Sequence, residues 1–321
     1  MRTATKLSAF ALALAAVAGG ALAVGSAVGP LDESPAPAAA DHSMTGAEAV
    51  ADEAHGDTGL PGLAAAANGY RLELGQDRLA TATPQPFRFR ILGPDGAAVT
   101  RFDVEHDKRL HLVVVRRDGS NYRHVHPEMA QDGTWSIDLT LPQAGSYRVF
   151  TDFKPEGGEK TTLGADVHAP GAYEPARYDR PTRTGTVDGY EVRLDGDLVP
   201  GREATVTATV TRNGTPVGDL EPYLGAYGHL VSLRAADLGY LHVHPLGTPG
   251  DGTTPAGPQV RFAVEVPTAG QYRLFLDFQH GGTVRTAEFT LDAAGTAPPM
   301  PAPAQAPAEP SGDDHGHGGT R

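Results

Sequence analysis

The chain has 321 residues, no cysteine, 40 glycines, 27 prolines and a formal charge of −13. Without cysteine it has no disulfide framework and no thiol for lipid attachment, so the core must hold by packing alone. The acidic balance argues against nucleic acid as a partner, because phosphate binding needs a basic surface.

Residues 1–23, "MRTATKLSAFALALAAVAGGALA", pair a short basic start with an apolar run and a small-residue cleavage site. This is the pattern of a secretory signal, and the run is also long enough to anchor the chain in a bilayer if it stays uncleaved. Such an uncleaved segment is the only membrane contact expected. Residues 24–67 read as a disordered acidic linker: between 31 and 57 lie seven carboxylates and no lysine or arginine. Residues 293–321, rich in Pro and Ala with a "DDHGHGG" end, read as a disordered tail. His, Met and carboxylates in "DHSM", "EAHGD" and that tail could capture metal loosely.

The remainder is one domain written twice, at 68–168 and 188–292, joined by a linker over 169–187. "NGYRLEL" is answered by "DGYEVRL", "LHLVVVRRDGSNYRHVHP" by "GHLVSLRAADLGYLHVHP", and "PQAGSYRVFTDF" by "PTAGQYRLFLDF". Apolar residues alternate at Tyr70, Leu72 and Leu74, at Phe87, Phe89 and Ile91, and at Val206, Ala208 and Val210. Period two with Gly-containing turns predicts antiparallel sheet, and about seven strands in about 100 residues is the count of a sandwich. The fold class expected is all-β: two tandem immunoglobulin-like antiparallel β-sandwich domains with disordered ends. "AGSYRVF" and "AGQYRLF" fit the tyrosine corner of such folds, with Tyr147 and Tyr272 anchoring a turn while Val149 and Leu274 face the core.

Each repeat spells His-Val-His-Pro after a strand that begins with histidine. A tight turn at Asp118-Gly119 sets His111 opposite His126 and His124 opposite Val113, so three imidazoles share one face. The same register sets His229 opposite His244, with His242 beside it. Two sites are therefore expected, one per repeat, from His111, His124, His126, His229, His242 and His244. Asp152 and Asp277, on a neighbouring strand, would be ligands or would hold an imidazole tautomer. Neutral imidazoles suit copper, zinc, nickel and iron, and ligation should weaken as pH falls through about 6.5. Alternatively, the histidines would finish a strand and hydrogen-bond a loop. Pro127 and Pro245 read as strand terminators.

The same outer face carries Val113, Val115 and Phe150, and Val231, Leu233 and Phe275. Apolar side chains there should be covered, either by the other repeat across an approximate two-fold axis or by another chain.

The blocks "GYEVRL", "GHLV" and "YLHVHP" resemble the YtkA-like secreted β-sandwich modules of bacterial envelopes, and secreted proteins with "GHLV…HVHP" blocks associated with heavy-metal and copper handling. The likeness to copper-resistance CopC-like proteins is one of overall architecture, without their N-terminal histidine motif. The resemblance implies a secreted or envelope-associated, non-enzymatic protein that buffers or delivers metal, copper ahead of zinc. An envelope metal transporter or chaperone is the candidate protein partner. The alternative is a structural or interaction module of the envelope without stoichiometric metal. G-x-S-x-G, H-E-x-x-H and phosphate-loop motifs are absent from the sequence.

Overall fold

The computed structural model describes residues 60–241 and 243–294. The signal, most of the acidic linker, the histidine-bearing tail and His242 lie outside the described residues.

The first repeat contains β1 (Ala66–Ala67), β2 (Tyr70–Leu74), β3 (Gln85–Leu92), β4 (Leu110–Arg116), β5 (Arg123–Val125), β6 (Glu128–Met129), β7 (Trp135–Leu139), β8 (Gly145–Phe153) and β9 (Thr161–Ala169). They form two sheets, β1-β2-β3-β7-β6 and β5-β4-β8-β9. The second contains β10 (Thr184–Val187), β11 (Tyr190–Asp195), β12 (Arg202–Arg212), β13 (Thr215–Pro216), β14 (His229–Arg234), β15 (Tyr240–Leu241), β16 (Val243–Leu246), β17 (Gln259–Val266), β18 (Gly270–His280) and β19 (Thr283–Ala293). Its sheets are β10-β11-β12-β17-β16, with β13 on β12, and β15-β14-β18-β19. Every strand pair is antiparallel. Each repeat is an immunoglobulin-like sandwich, as the alternation predicts.

On β3 the side chains of Phe87, Phe89 and Ile91 are buried, while Arg88 and Arg90 face water. With Leu112, Val114, Val149 and Leu163 they fill the first core. Val206, Ala208, Val210, Phe262, Leu274 and Phe289 fill the second. The tyrosine corners are in place: Tyr147 donates to the Gln143 carbonyl at 2.8 Å, and Tyr272 to that of Thr268 at 2.8 Å. The boundaries differ from the sequence reading, and β9 and β19 each run one residue past theirs, to Ala169 and Ala293. Within the stretch read as disordered linker, β1 pairs with β2. Within the inter-repeat linker, β10 pairs with β11.

All seven residues of β4 are buried, although only alternate ones face their own core. Of the others, Val113 and Val115 meet the opposite repeat. Val113, Val115, Tyr122 and Phe150 form one cluster with Val231, Leu233, Leu238, Tyr240 and Phe275. Tyr122 stacks on Phe275, centroids 4.0 Å apart, and its counterpart Tyr240 packs on Phe150 at 5.4 Å. Such reciprocity is the mark of a two-fold-like, self-complementary interface. The apolar outer faces cover each other, the first of the two arrangements expected from the sequence.

Polar clamps finish the seam. Arg148 donates to the Gly62 carbonyl at 2.7 Å, and Arg273 to that of Gly119 at 3.2 Å. The Gly62 carbonyl also lies only 2.0 Å from where a Cβ on Gly164 would stand, so that position tolerates no side chain. The linker is strapped down as well. Asp118 accepts from the Ala176 amide at 2.7 Å, and Tyr178 lies under the Arg273 guanidinium at 3.6 Å.

Candidate metal centre

The predicted register is the observed one: Val113 pairs with His124 on β5, and His111 pairs with Asp152 on β8. Three ring nitrogens converge as a result. His111 Nδ1 lies 3.0 Å from His124 Nε2 and 3.2 Å from His126 Nε2. All three ligand atoms fall within 4.8 Å of one another.

The outward nitrogens assign the tautomers. His111 Nε2 donates to the Glu105 carbonyl at 3.1 Å, and His124 Nδ1 to Asp277 Oδ2 at 2.8 Å. Both partners only accept, so in the neutral rings the inward nitrogens of His111 and His124 carry the lone pairs. Burial, then the neighbouring imidazoles, lowers His111 to about 4 and His126 to about 3. At those two rings competition from protons therefore sets in well below the ordinary histidine value given by the sequence. A tetrahedral ion with bonds of 2.0–2.1 Å to nitrogen would space its ligands about 3.3 Å apart. The separations from His111 to His124 and to His126, 3.0 and 3.2 Å, are close to that spacing.

Asp277 lies on β18 of the second repeat, yet it holds His124 of the first. It is 2% exposed, and Thr286 Oγ1 donates to its second oxygen at 2.5 Å. The sequence reading had paired Asp277 with the histidines of its own repeat. Asp152 sits on the expected face but accepts from Thr162 at 2.9 Å and meets Lys160 Nζ at 3.5 Å. It contributes negative charge beside His111 and makes no hydrogen bond to the triad among the described residues.

The second repeat does not reproduce the triad among its described residues. β15 follows the predicted register, with Ser232 opposite Leu241. The chain then changes sheets, and His244 pairs with Ala263 on β17 instead of facing His229. Four residues of β16 pair with β17, whereas only two of β6 pair with β7. The loop between β16 and β17 is also longer than that between β6 and β7. Pro245 consequently lies inside β16, where an edge strand accepts it, and does not terminate a strand. His229 keeps its anchor, donating from Nε2 to the Tyr223 carbonyl at 2.9 Å, and burial lowers it to about 4. His280 bonds Tyr190 at 2.6 Å and Asp219 at 3.0 Å, outside the cluster.

Two neighbours escaped the sequence reading. His106 opens a tight turn with left-handed backbone (φ 48°), and its ring lies 5.2 Å from His229 and 6.1 Å from His111. Leu224 takes the equivalent place in the second repeat, with φ 53°. The signal for His106 was its position five residues before His111. Tyr223 flanks His126 at 6.4 Å and His229 at 6.1 Å, and burial followed by Asp277 pushes its phenol up to about 12. His124, Asp277, Tyr122 and Tyr223 help line a cavity of about 400 Å³ beside the His124–Asp277 pair.

Among solved structures similar to this chain is FdeC, an Escherichia coli adhesin, with 16% identity and TM-score 0.23 over 71% of this chain and 65% of that one. Invasin, a bacterial integrin-binding protein, shows 14% identity and TM-score 0.21 over 72% and 40%. A putative membrane anchored protein from Corynebacterium diphtheriae shows 11% and 0.22 over 73% and 60%. Each match spans less than two thirds of the other chain. A comparison with curated proteins finds no match. The family profile that matches is not that of the YtkA-like modules but Domain of unknown function (DUF8832), at residues 65–171 and 185–295, and the protein belongs to this family with two copies in tandem.

Proposed function

We propose that this is an extracytoplasmic metal-binding protein that holds one transition-metal ion, copper or zinc, at the junction of its repeats and catalyses no reaction. One observation carries the reading. Three imidazole nitrogens converge at 3.0 and 3.2 Å, while two of the rings are turned inward by acceptors on their far sides. Burial keeps two of the three rings neutral, and a neutral ring is the form that binds metal. Asp277 and Asp152 supply nearby negative charge. For nitrogen donors the affinity order places copper(II) above zinc. The signal-like first segment supports secretion.

Titrating the full chain with copper(II) and with zinc tests this. One tight equivalent should be lost in the His111→Ala, His124→Ala, His126→Ala triple variant, while weak binding by the histidine-bearing tail persists in both proteins. A wild-type chain that takes up no stoichiometric metal, or a triple variant that keeps the tight equivalent, overturns it.

A second reading, a structural module of the envelope, draws on the apolar seam that joins the repeats. It predicts an intact fold and no tight equivalent in either protein.

A further inference from the structure

We infer that metal capture by the first repeat and docking of the second are one linked equilibrium, with Asp277 as the positioning residue. This rests on the metal reading above and adds what the second repeat does for it.

His124 stands on β5, the outer strand of its sheet, and has no strand beyond it to fix its ring. It can offer Nε2 to an ion only while its proton sits on Nδ1. The acceptor that keeps the proton there is Asp277 Oδ2 at 2.8 Å, and it crosses from the other repeat. The pair is well enclosed, with side-chain exposures of 6% and 3%. Asp277 is itself held in place, because Thr286 Oγ1 donates to Oδ1 from the adjacent strand β19. The triad is thus built by one repeat, and one of its rings is oriented by the other. Outer partners of this kind raise ligand basicity and fix ring direction, and their loss weakens metal binding by about 10–100-fold. Coupling of this sort is reciprocal: whatever factor docking adds to metal affinity, the ion adds to docking. The bound ion acts as a staple across the seam although none of its three histidines belongs to the second repeat.

The test uses the full chain and zinc. Calorimetry gives affinity, and amide hydrogen exchange follows the second repeat at Val231, Leu233 and Tyr240. In wild type, zinc should slow exchange in both repeats. Asp277→Asn should still take one equivalent, about 10–100-fold more weakly, and zinc should then protect the first repeat alone. A carboxylate with a purely structural role would leave the zinc-dependent part of the exchange unchanged. Wild-type affinity in Asp277→Asn, together with zinc-dependent protection of the second repeat, overturns the linkage and leaves the metal reading standing. No uptake by wild type overturns both. If Asp277→Asn does not fold, Thr286→Val releases the carboxylate from its second anchor. It should weaken zinc binding several-fold and reduce protection of the second repeat, and wild-type values in both measurements overturn the linkage.

Discussion

Phe275→Ala isolates the seam between the repeats. Phe275 is fully buried, its ring stacked on Tyr122 with planes 5° apart and the Arg273 guanidinium 5.1 Å from its centroid. Truncating a buried Phe to Ala costs about 3–5 kcal/mol in lost transfer energy and cavity, and the aromatic stack contributes about 0.5–1.5 kcal/mol beyond area. Tyr122 has no second hold, since its hydroxyl finds no hydrogen-bond partner among the described residues. The loss should therefore fall in the upper half of the range, about 4–5 kcal/mol. It should also change the kind of unfolding, because Phe275 packs against the other repeat while its neighbour Leu274 packs in its own core. The single tryptophan, Trp135, reports on the first repeat alone, whereas circular dichroism reports on both. In wild type the two urea curves should coincide. In Phe275→Ala they should separate, and in Leu274→Ala circular dichroism should lose the amplitude of the second repeat first. A loss under about 1 kcal/mol with coincident curves would refute the argument, because a side chain that couples the repeats cannot be removed so cheaply.

The metal-free protein should lose stability on acidification: burial lowers His229 to about 4 and His126 to about 3, so between about 6.5 and those values the unfolded chain binds more protons than the folded one. Stability is then complete above about 6.5 and declines as pH falls, His229 alone contributing on the order of 3 kcal/mol at the limit; denaturation in chelator at pH 7.5 and pH 5 checks it, and equal midpoints would contradict it. Tyr147→Phe and Tyr272→Phe remove equivalent hydrogen bonds to Gln143 and Thr268 and should each cost about 1 kcal/mol, read as a lowered urea midpoint.

How far the sequence could be read depended on whether one competing partner or two were available. The register of β4 and β5 was legible, because an Asp-Gly turn and an alternating pattern leave little freedom for slippage. It placed His111, His124 and His126 on one face, and Val113 and Phe150 with them. The fate of the second His-Val-His-Pro was not legible, because both sheets of that sandwich offer that segment backbone hydrogen bonds. In the structure the segment pairs with β17. Nor was the reach of Asp277 visible, since strand pairing within a repeat says nothing about which repeat a side chain will touch. The segment before β2 and the linker carried the composition of free chain, yet Arg148, Asp118 and Arg273 hold them through backbone groups and an aromatic ring. Backbone acceptors and amides leave no trace in residue type.

The reciprocal packing of the two sheets has a consequence for how the halves can differ. In a homodimer built on this face, every substitution would appear at both symmetric places, so a histidine at the corner of the turn would face its own twin's surroundings. Here both halves belong to one polypeptide, and that constraint is lifted. His106 can occupy a corner where the other half has Leu224, and one half can keep a histidine strand that the other sends to the opposite sheet. Fusion also keeps the partner permanently at hand, as a tether replaces encounter by effective concentration. The arrangement permits a division of labour, with one half presenting the nitrogens and the other serving as its fixed outer wall.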